Sequence, residues 1–486
     1  MDTSDPDSAA VWARLPVEER VRRVCGLRHV LASDPQPFVE AITVPFRRSV
    51  AESLAAELIP LADACRFLER EAARLLLPRK LSTRSRPIWL WGSAVLTYRE
   101  PWGRVLIVGP GNYPLMIPGI QAVQALVAGN AVLLKPAPGC DEVARLLATT
   151  LHELGVPAGV FEVLDKSPEA VRAAVGRMHK VVLTGSEETG KSVLSLLAPN
   201  LIPAVMELSG CDAAFVLDRS NLDRTVDCLV FGLTLNSSAS CIAPRRIFAI
   251  GEVADELVDR LAEALGKGPA AFVSPDAAAK LNTLGLQALA AGARLRTGAL
   301  PVTQQAVPLL FDHCVPDMQL LREDVFAPFA GLVRVGSVEE AIAASRCCPY
   351  RLGATVFGPE DRARALAERI DAGCVVINDM IVPTADPRVS FGGRARSGYG
   401  MTRGAEGLLE MTRIKNVLVR RTGGRAHLRG HSGQTEEVLR TYLRLSHARS
   451  LRERLWAGRR LIRIAFPGAL NRVQSPRARA ECGSHE

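Results

Sequence analysis

Apolar residues recur three and four apart through Val17–His29 and Val50–Leu76, among Arg, Glu and Ala, and predict that the chain opens mainly as helix. Bulky residues flank Gly92-Ser93 in Ile88–Tyr98, a pattern that predicts a hairpin. Short β-branched runs then alternate with helical spacing. Strands are predicted at Arg104–Val108, Ala131–Leu134, Val160–Val163 and Lys180–Leu183, with helices at Ile117–Ala128 and Asp141–Leu154. A second alternating set follows Leu208. Its strands are Ala213–Val216, Arg246–Ile250, Gly331–Val335, Ala354–Phe357 and Cys374–Ile377. Its helices are Leu222–Leu235, Val253–Leu265, Val338–Ser345 and Glu360–Ile370. Such alternation predicts an α/β fold built on mostly parallel sheets. Near Thr422 the character changes: Gly423-Gly424 reads as a linker, and Glu436–Phe466 as one Arg-rich helical segment ended by Pro467.

Apolar residues at 48% and charged residues at 23% of 486 positions exclude a disordered or fibrous chain. The uncharged stretch Val105–Leu134 has the length of a membrane span. Pro110, Pro114, Pro118 and several glycines interrupt it, so buried strand, loop and helix are expected instead. The opening MDTSDPDSAA is acidic where a signal peptide is basic, which argues against secretion by that route. Eleven cysteines from Cys25 to Cys482 show no CxxC and no paired Cys/His spacing, so no metal site is expected and a reducing cytoplasm is the natural compartment. The net charge of +9 is not spread over the chain. From Arg421 onward fourteen arginines stand against five acidic residues, and the remainder is balanced. An electrostatic partner is therefore expected at the C-terminus, not over the main surface.

Gly185-Ser186-Glu187-Glu188-Thr189-Gly190 follows an apolar strand and opens a helix, an arrangement that points backbone N–H groups at phosphate but also occurs at ordinary junctions. Lys135 ends a strand before Pro136, where it can hold a ribose or simply be solvated. Glu207, between apolar residues and Gly210, is placed for desolvation and general-base work, or for a surface cap. Cys241 ends the small-residue run Asn236–Ser240, which gives a nucleophile room, although a buried inert thiol is the usual case.

Taken in order, these motifs resemble the aldehyde dehydrogenase superfamily over about Val17–Arg420: Pro110–Pro114, Leu134–Pro136, Thr184–Ser186 with Gly190, Glu207–Gly210, Asn236–Ala243, Glu323–Pro328, and Phe391–Gly393 with Ser397-Gly398. Ala243-Pro244 and Asn378-Asp379 look most like the class 3, fatty-aldehyde branch. The resemblance implies a Rossmann-type NAD(P)-binding domain (1–87 and 102–207), an α/β catalytic domain (208–386), a bridging arm for a homodimer (88–101 and 387–420) and a basic extension (421–486). It implies oxidation of an aldehyde to an acid, with Cys241 as nucleophile, Glu207 activating water, and the Asn112 side chain with the Cys241 N–H stabilising the oxyanion. Lys135, Gly185, Ser186 and Gly190 match the adenosine ribose and pyrophosphate sites, and Asp324 and Phe326 match the nicotinamide end.

Three departures from the family pattern stand out. Asp324 replaces a longer Glu, Ser238-Ala239 replaces a common Gly-Gln, and Pro138 stands where NAD-preferring members have a Glu, which opens NADP to use. A CoA-acylating enzyme is the rival within the superfamily, and Glu207 argues against it. A non-catalytic scaffold recruited by the tail is the rival from another class. The tail itself reads as a basic amphipathic helix, suited either to peripheral contact with an anionic membrane or to packing on protein; nucleic acid is the least favoured partner.

Overall fold

The computed structural model describes residues 6–46, 48–422, 428 and 433–465. Gly423-Gly424, Phe466, Pro467 and Cys482 lie outside them. The described chain divides into a large body, 1–81 with 96–417, and a smaller one, 82–95 with 418–486.

Among the described residues the large body holds a six-stranded and a seven-stranded sheet. The first runs Gly398–Tyr399, Ala204–Glu207, Lys180–Thr184, Arg104–Val108, Ala131–Lys135, Phe161–Val163, and is parallel except for Gly398–Tyr399. The second runs Arg294–Thr297, Leu309–Asp312, Phe329–Val335, Pro244–Ile250, Asp212–Val216, Gly353–Phe357, Cys374–Ile377, and is parallel except for Arg294–Thr297. Runs such as Val105-Leu106-Ile107 are apolar throughout because helices cover both faces of a parallel sheet. The helix Met116–Val127 is buried from Ile117 to Val127, which is why Val105–Leu134 carries no charge. The N-terminal helices pack on it, and the Trp12 indole N–H donates to the Leu126 carbonyl at 3.0 Å.

The helix predicted over Val50–Leu76 is continuous but contains a π-helical turn, Leu54–Leu58, between Val50–Ser53 and Ile59–Leu76. The helix Pro275–Ala290 escaped the periodicity. Its start signals are present, with Ser274 accepting from the Ala277 N–H and Pro275 in the first turn.

Two expectations fail in the smaller body. Ile88–Tyr98 is not a hairpin: Ile88–Leu90 is a 3-10 turn, Gly92 takes φ +83°, and only then does an extended strand begin at Ser93. Ile88, Trp89 and Trp91, among the apolar residues that suggested a hairpin, face water, with Trp91 75% exposed. The Arg-rich tail is not one helix but two, Gly433–His447 and Leu451–Ala465. Ser450 ends the gap between them, its hydroxyl accepting from the Glu453 N–H at 3.1 Å.

Candidate active site

In the six-stranded sheet the strand order turns in opposite directions on either side of the boundary between Arg104–Val108 and Lys180–Thr184. Ligands of open parallel sheets bind beyond the carboxyl ends of the strands at such a point. Here Pro110, Gly111 and Asn112 leave one strand and Thr184, Gly185 and Ser186 leave the other, and all six line a cleft of about 300 Å³. Glu207, Leu208, Ser209, Cys241, Asp324 and Phe326 line it too. Seven of the nine expected site residues thus converge. Lys135 and Gly190 stand outside the lining. Lys135 ends the adjacent strand, half-buried, where burial lowers its ammonium pKa against the raising charges of Cys140, Asp141 and Asp165. Gly190 is a packing glycine, since a Cβ there would meet Leu208 Cδ2 at 2.7 Å.

Cys241 is fixed by close packing of backbone. A Cβ on Gly210 would lie 2.0 Å from the Cys241 carbonyl oxygen, so the glycine of Glu207-Leu208-Ser209-Gly210 is required by contact with the cysteine 31 positions further on. Cys241 keeps partial exposure to the cleft, but its surroundings are dry and acidic. Burial, followed by the charges of Glu207, Asp212 and Asp324, pushes its thiol well above the usual range. Glu207 ends its strand fully within the protein. Burial raises its carboxyl pKa, opposed by the Arg403 charge and by the Thr402 hydroxyl, which donates to Oε2 at 3.1 Å. A thiol that resists ionising and a carboxylate whose proton affinity burial has raised therefore face one space.

The Asn112 side-chain amide donates to the Ala239 carbonyl at 3.0 Å, just before the nucleophile. Its own carbonyl accepts from the Asn236 amide at 2.9 Å and from the Arg48 guanidinium. Arg48 also donates to Asn236 Oδ1 at 2.7 Å and pairs with Glu57, which the π-helical turn carries. Glu57 Oε2 accepts in turn from the Leu115 and Met116 N–H groups at 3.1 and 2.7 Å. Arg48 and Glu57 are 5% and 0% exposed. Sequence reading missed both. One signal was available: Glu57 shares a helical face with Leu54, Leu58 and Leu61, where a lone acid needs a buried partner.

At the opposite end, Ser186 caps the helix Glu187–Leu197, accepting from the Thr189 N–H at 3.1 Å. The Glu187 N–H donates to the Ser209 hydroxyl at 3.1 Å, and Ser209 also hydrogen-bonds Asp324. Burial drives Asp324 up to about 6, and the Ser209 bond and the Arg245 charge oppose it. The Glu187 carboxylate, at a place meant for anions, is held by Lys191 at 2.6 Å and the Tyr350 hydroxyl at 3.0 Å. No group of His, Cys, Asp and Glu suited to a metal ion occurs among the described residues.

A model of the aldehyde dehydrogenase family matches residues 6–417. The chain is 33% identical over 395 residues to the NADP-dependent succinate-semialdehyde dehydrogenase 1 of Mycobacterium ulcerans, covering 78% of this chain and 85% of that one. It is 28% identical over 422 residues to the 4,4'-diapolycopene aldehyde oxidase of a Methylomonas species, covering 84% and 79%. In three dimensions it resembles the succinic semialdehyde dehydrogenase of Streptococcus pyogenes crystallised with NADP+, at 24% identity, TM-score 0.78, and coverage of 85% and 92%. The family match spans both sheets and every residue of the cleft, and the chain belongs to the aldehyde dehydrogenase family.

Proposed function

We propose that this protein oxidises an aldehyde to a carboxylic acid with NAD+ or NADP+ as hydride acceptor, and that Cys241, Glu207 and Asn112 carry the chemistry. The supporting observation is their convergence, from three separate stretches, on one cleft at the sheet's switch point. The thiol proton passes to Glu207 as the sulfur adds to the carbonyl carbon, and the oxygen that becomes negative is met by the Asn112 amide and the Cys241 N–H. When bound, the dinucleotide supplies the hydride acceptor. Loss of hydride from the tetrahedral carbon leaves a thioester on Cys241. Glu207 gives up the thiol's proton to solvent, then takes a proton from water as the water oxygen adds to the thioester carbon, and the sulfur leaves with its electron pair.

The cleft suits a dinucleotide: a glycine turn and a helix start on one side, and Asp324 and Phe326 on the other. Asp324 would hold the nicotinamide ribose and Phe326 would pack beside the ring, while Gly185, Ser186 and Lys135 would serve the pyrophosphate and adenosine ribose. The segment Pro136-Ala137-Pro138-Gly139 after Lys135 offers no carboxylate to repel a 2′-phosphate, which favours NADP use. The substrate we favour carries no carboxylate beside its aldehyde, because the described cleft lining carries Glu207 and Asp324 but neither Lys nor Arg. This agrees with the fatty-aldehyde signatures Ala243-Pro244 and Asn378-Asp379; succinate semialdehyde, named for two of the relatives, is the rival. Formation of NADH and NADPH should be measured with short, long-chain and aromatic aldehydes and with succinate semialdehyde, beside Cys241→Ala. Turnover that vanishes in the variant is expected. Turnover that survives it rejects the mechanism, and preference for succinate semialdehyde rejects the substrate class.

The division into cofactor, catalytic and arm segments, and a homodimer built through the arm, belong to the same proposal. So does a cytoplasmic enzyme touching an anionic membrane through its C-terminal hairpin. No described helix is long and apolar enough to cross a membrane. Leu439 and Leu443 on the first hairpin helix, and Leu451, Leu455 and Ile462 on the second, are exposed at helical spacing amid exposed arginines, as a surface-bound helix requires. Co-sedimentation with liposomes, with and without the residues after Arg421, tests it; equal pelleting rejects it.

A further inference from the structure

Three consecutive residues ahead of the nucleophile, Asn236, Ser237 and Ser238, have φ of 52°, 52° and 64°. This left-handed backbone is one that L side chains adopt reluctantly and glycine adopts freely. Ser238 occupies the position where the resemblance to the family leads one to expect glycine, so this chain has given up the residue that suits the conformation. Something else must hold it.

The holding group is Arg245, four residues past the cysteine and 1% exposed. One of its terminal nitrogens, Nη1, donates to the Ser238 hydroxyl at 2.7 Å, and the other, Nη2, donates to the Ser238 carbonyl at 2.5 Å. Nη1 also donates to the Ala327 carbonyl at 2.5 Å, and the guanidinium lies 5.1 Å above the Phe329 ring. Ala327 directly follows Asp324-Val325-Phe326, the nicotinamide side of the cleft. A single planar cation thus grips both atoms that Ser238 offers and, through the same nitrogen, the loop across the cleft. The carboxylate acting most strongly on it is Asp324.

We propose that Arg245 is a positioning residue for the reaction: by clamping Ser238 it replaces the missing glycine, holds the left-handed loop that presents Cys241, and keeps that loop in register with Asp324 and Phe326. The proposal rests on Cys241 being the nucleophile, and its test is therefore read first without aldehyde or cofactor. Alkylation of Cys241 by iodoacetamide, followed by peptide mass, reports the presentation of the thiol alone. Arg245→Gln is expected to slow it about tenfold. Adding Ser238→Gly to Arg245→Gln should restore most of the rate, because glycine accepts the conformation unaided, whereas adding Ser238→Ala should restore none.

Burial of Arg245 makes a folding defect a foreseeable complication, so Ser238→Ala with Arg245 intact is the second probe. It removes only the hydroxyl grip and is expected to slow alkylation about threefold, with kcat falling by a similar factor and the aldehyde KM changing little. Equal alkylation in Ser238→Ala and the unmodified protein overturns the clamp, as does failure of Ser238→Gly to rescue folded Arg245→Gln. A protein that oxidises no aldehyde, yet shows slowed and glycine-rescued alkylation, keeps the clamp and loses only the activity.

Discussion

Arg48, Arg245 and Arg246 of the large body are at most 5% exposed, and each guanidinium meets backbone carbonyls or a carboxylate at fixed distances. Arg440, Arg452, Arg459 and Arg463 of the C-terminal hairpin are open to water, and so are Leu443, Leu451 and Leu455 between them. In the body, charge is used as a clamp: removing one partner leaves an unpaired ion away from water. In the hairpin most of the charge stands in water, where it would act on a partner as a sum. The hairpin's own order comes from a few contacts, with Thr441 and Ala457 buried, Arg460 paired to Glu437 and Arg444 over the Trp456 ring. The two regions should therefore answer mutation differently, in size and in kind.

The largest effect is expected at Glu207. Glu207→Gln should lower steady-state turnover by about 10²–10⁴-fold and remove the stopped-flow burst of NAD(P)H as well, since Glu207 takes the proton of the thiol as well as that of the water. In the unmodified protein the burial-raised carboxyl places the acid limb of kcat above the usual carboxylate range, and activity is lost as pH falls through it. Next comes the buried pair: Glu57→Gln should destabilise the body by about 3–5 kcal/mol, read by urea unfolding, because Arg48 would remain charged and enclosed. Gly210→Ala should lower kcat/KM by about 10²-fold by pushing on the Cys241 carbonyl.

Leu439→Glu with Leu455→Glu should change stability by about 0.5 kcal/mol or less and still abolish liposome pelleting. A large loss of stability would mean that the hairpin, too, is held by specific packing. A separate effect, read only in the pH dependence of stability, concerns Asp212, whose carboxyl burial raises to about 7 from 3.8. The folded state then holds more protons than the unfolded one, so this group's contribution to stability is present at low pH and lost as pH rises between those values. Asp212→Asn should flatten the pH dependence of Tm across that window.

The fold was largely legible because parallel strands and their helices leave period and length in the chain; Cys374–Ile377 and Val338–Ser345 appear with the predicted limits. Legibility failed where apolar residues are not buried, as at Trp89 and Trp91, since a hydrophobic run speaks of structure only if a core receives it. It failed also at Ser450-Leu451-Arg452-Glu453, a capping signal that marks a new helix inside what periodicity joined. In the site, Cys241, Glu207 and Asn112 carry motifs, and the structure brings them to one cleft. Arg48, Glu57 and Arg245 do not: Arg48 meets Asn236 across 188 residues, and no local pattern records such a pairing.

The Arg48–Glu57 pair has one further consequence. Mobile ions screen charges that water reaches, over a Debye length of about 8 Å at physiological ionic strength, and reach enclosed pairs far less. Asn112 and Asn236 are braced by a pair of the enclosed kind. Catalytic geometry should therefore be indifferent to ionic strength, while attraction of the hairpin to an anionic surface fades as salt is added. If the proposed membrane contact holds, raising salt would release the enzyme with its active site unaltered, so that location and turnover would be adjusted independently in one chain.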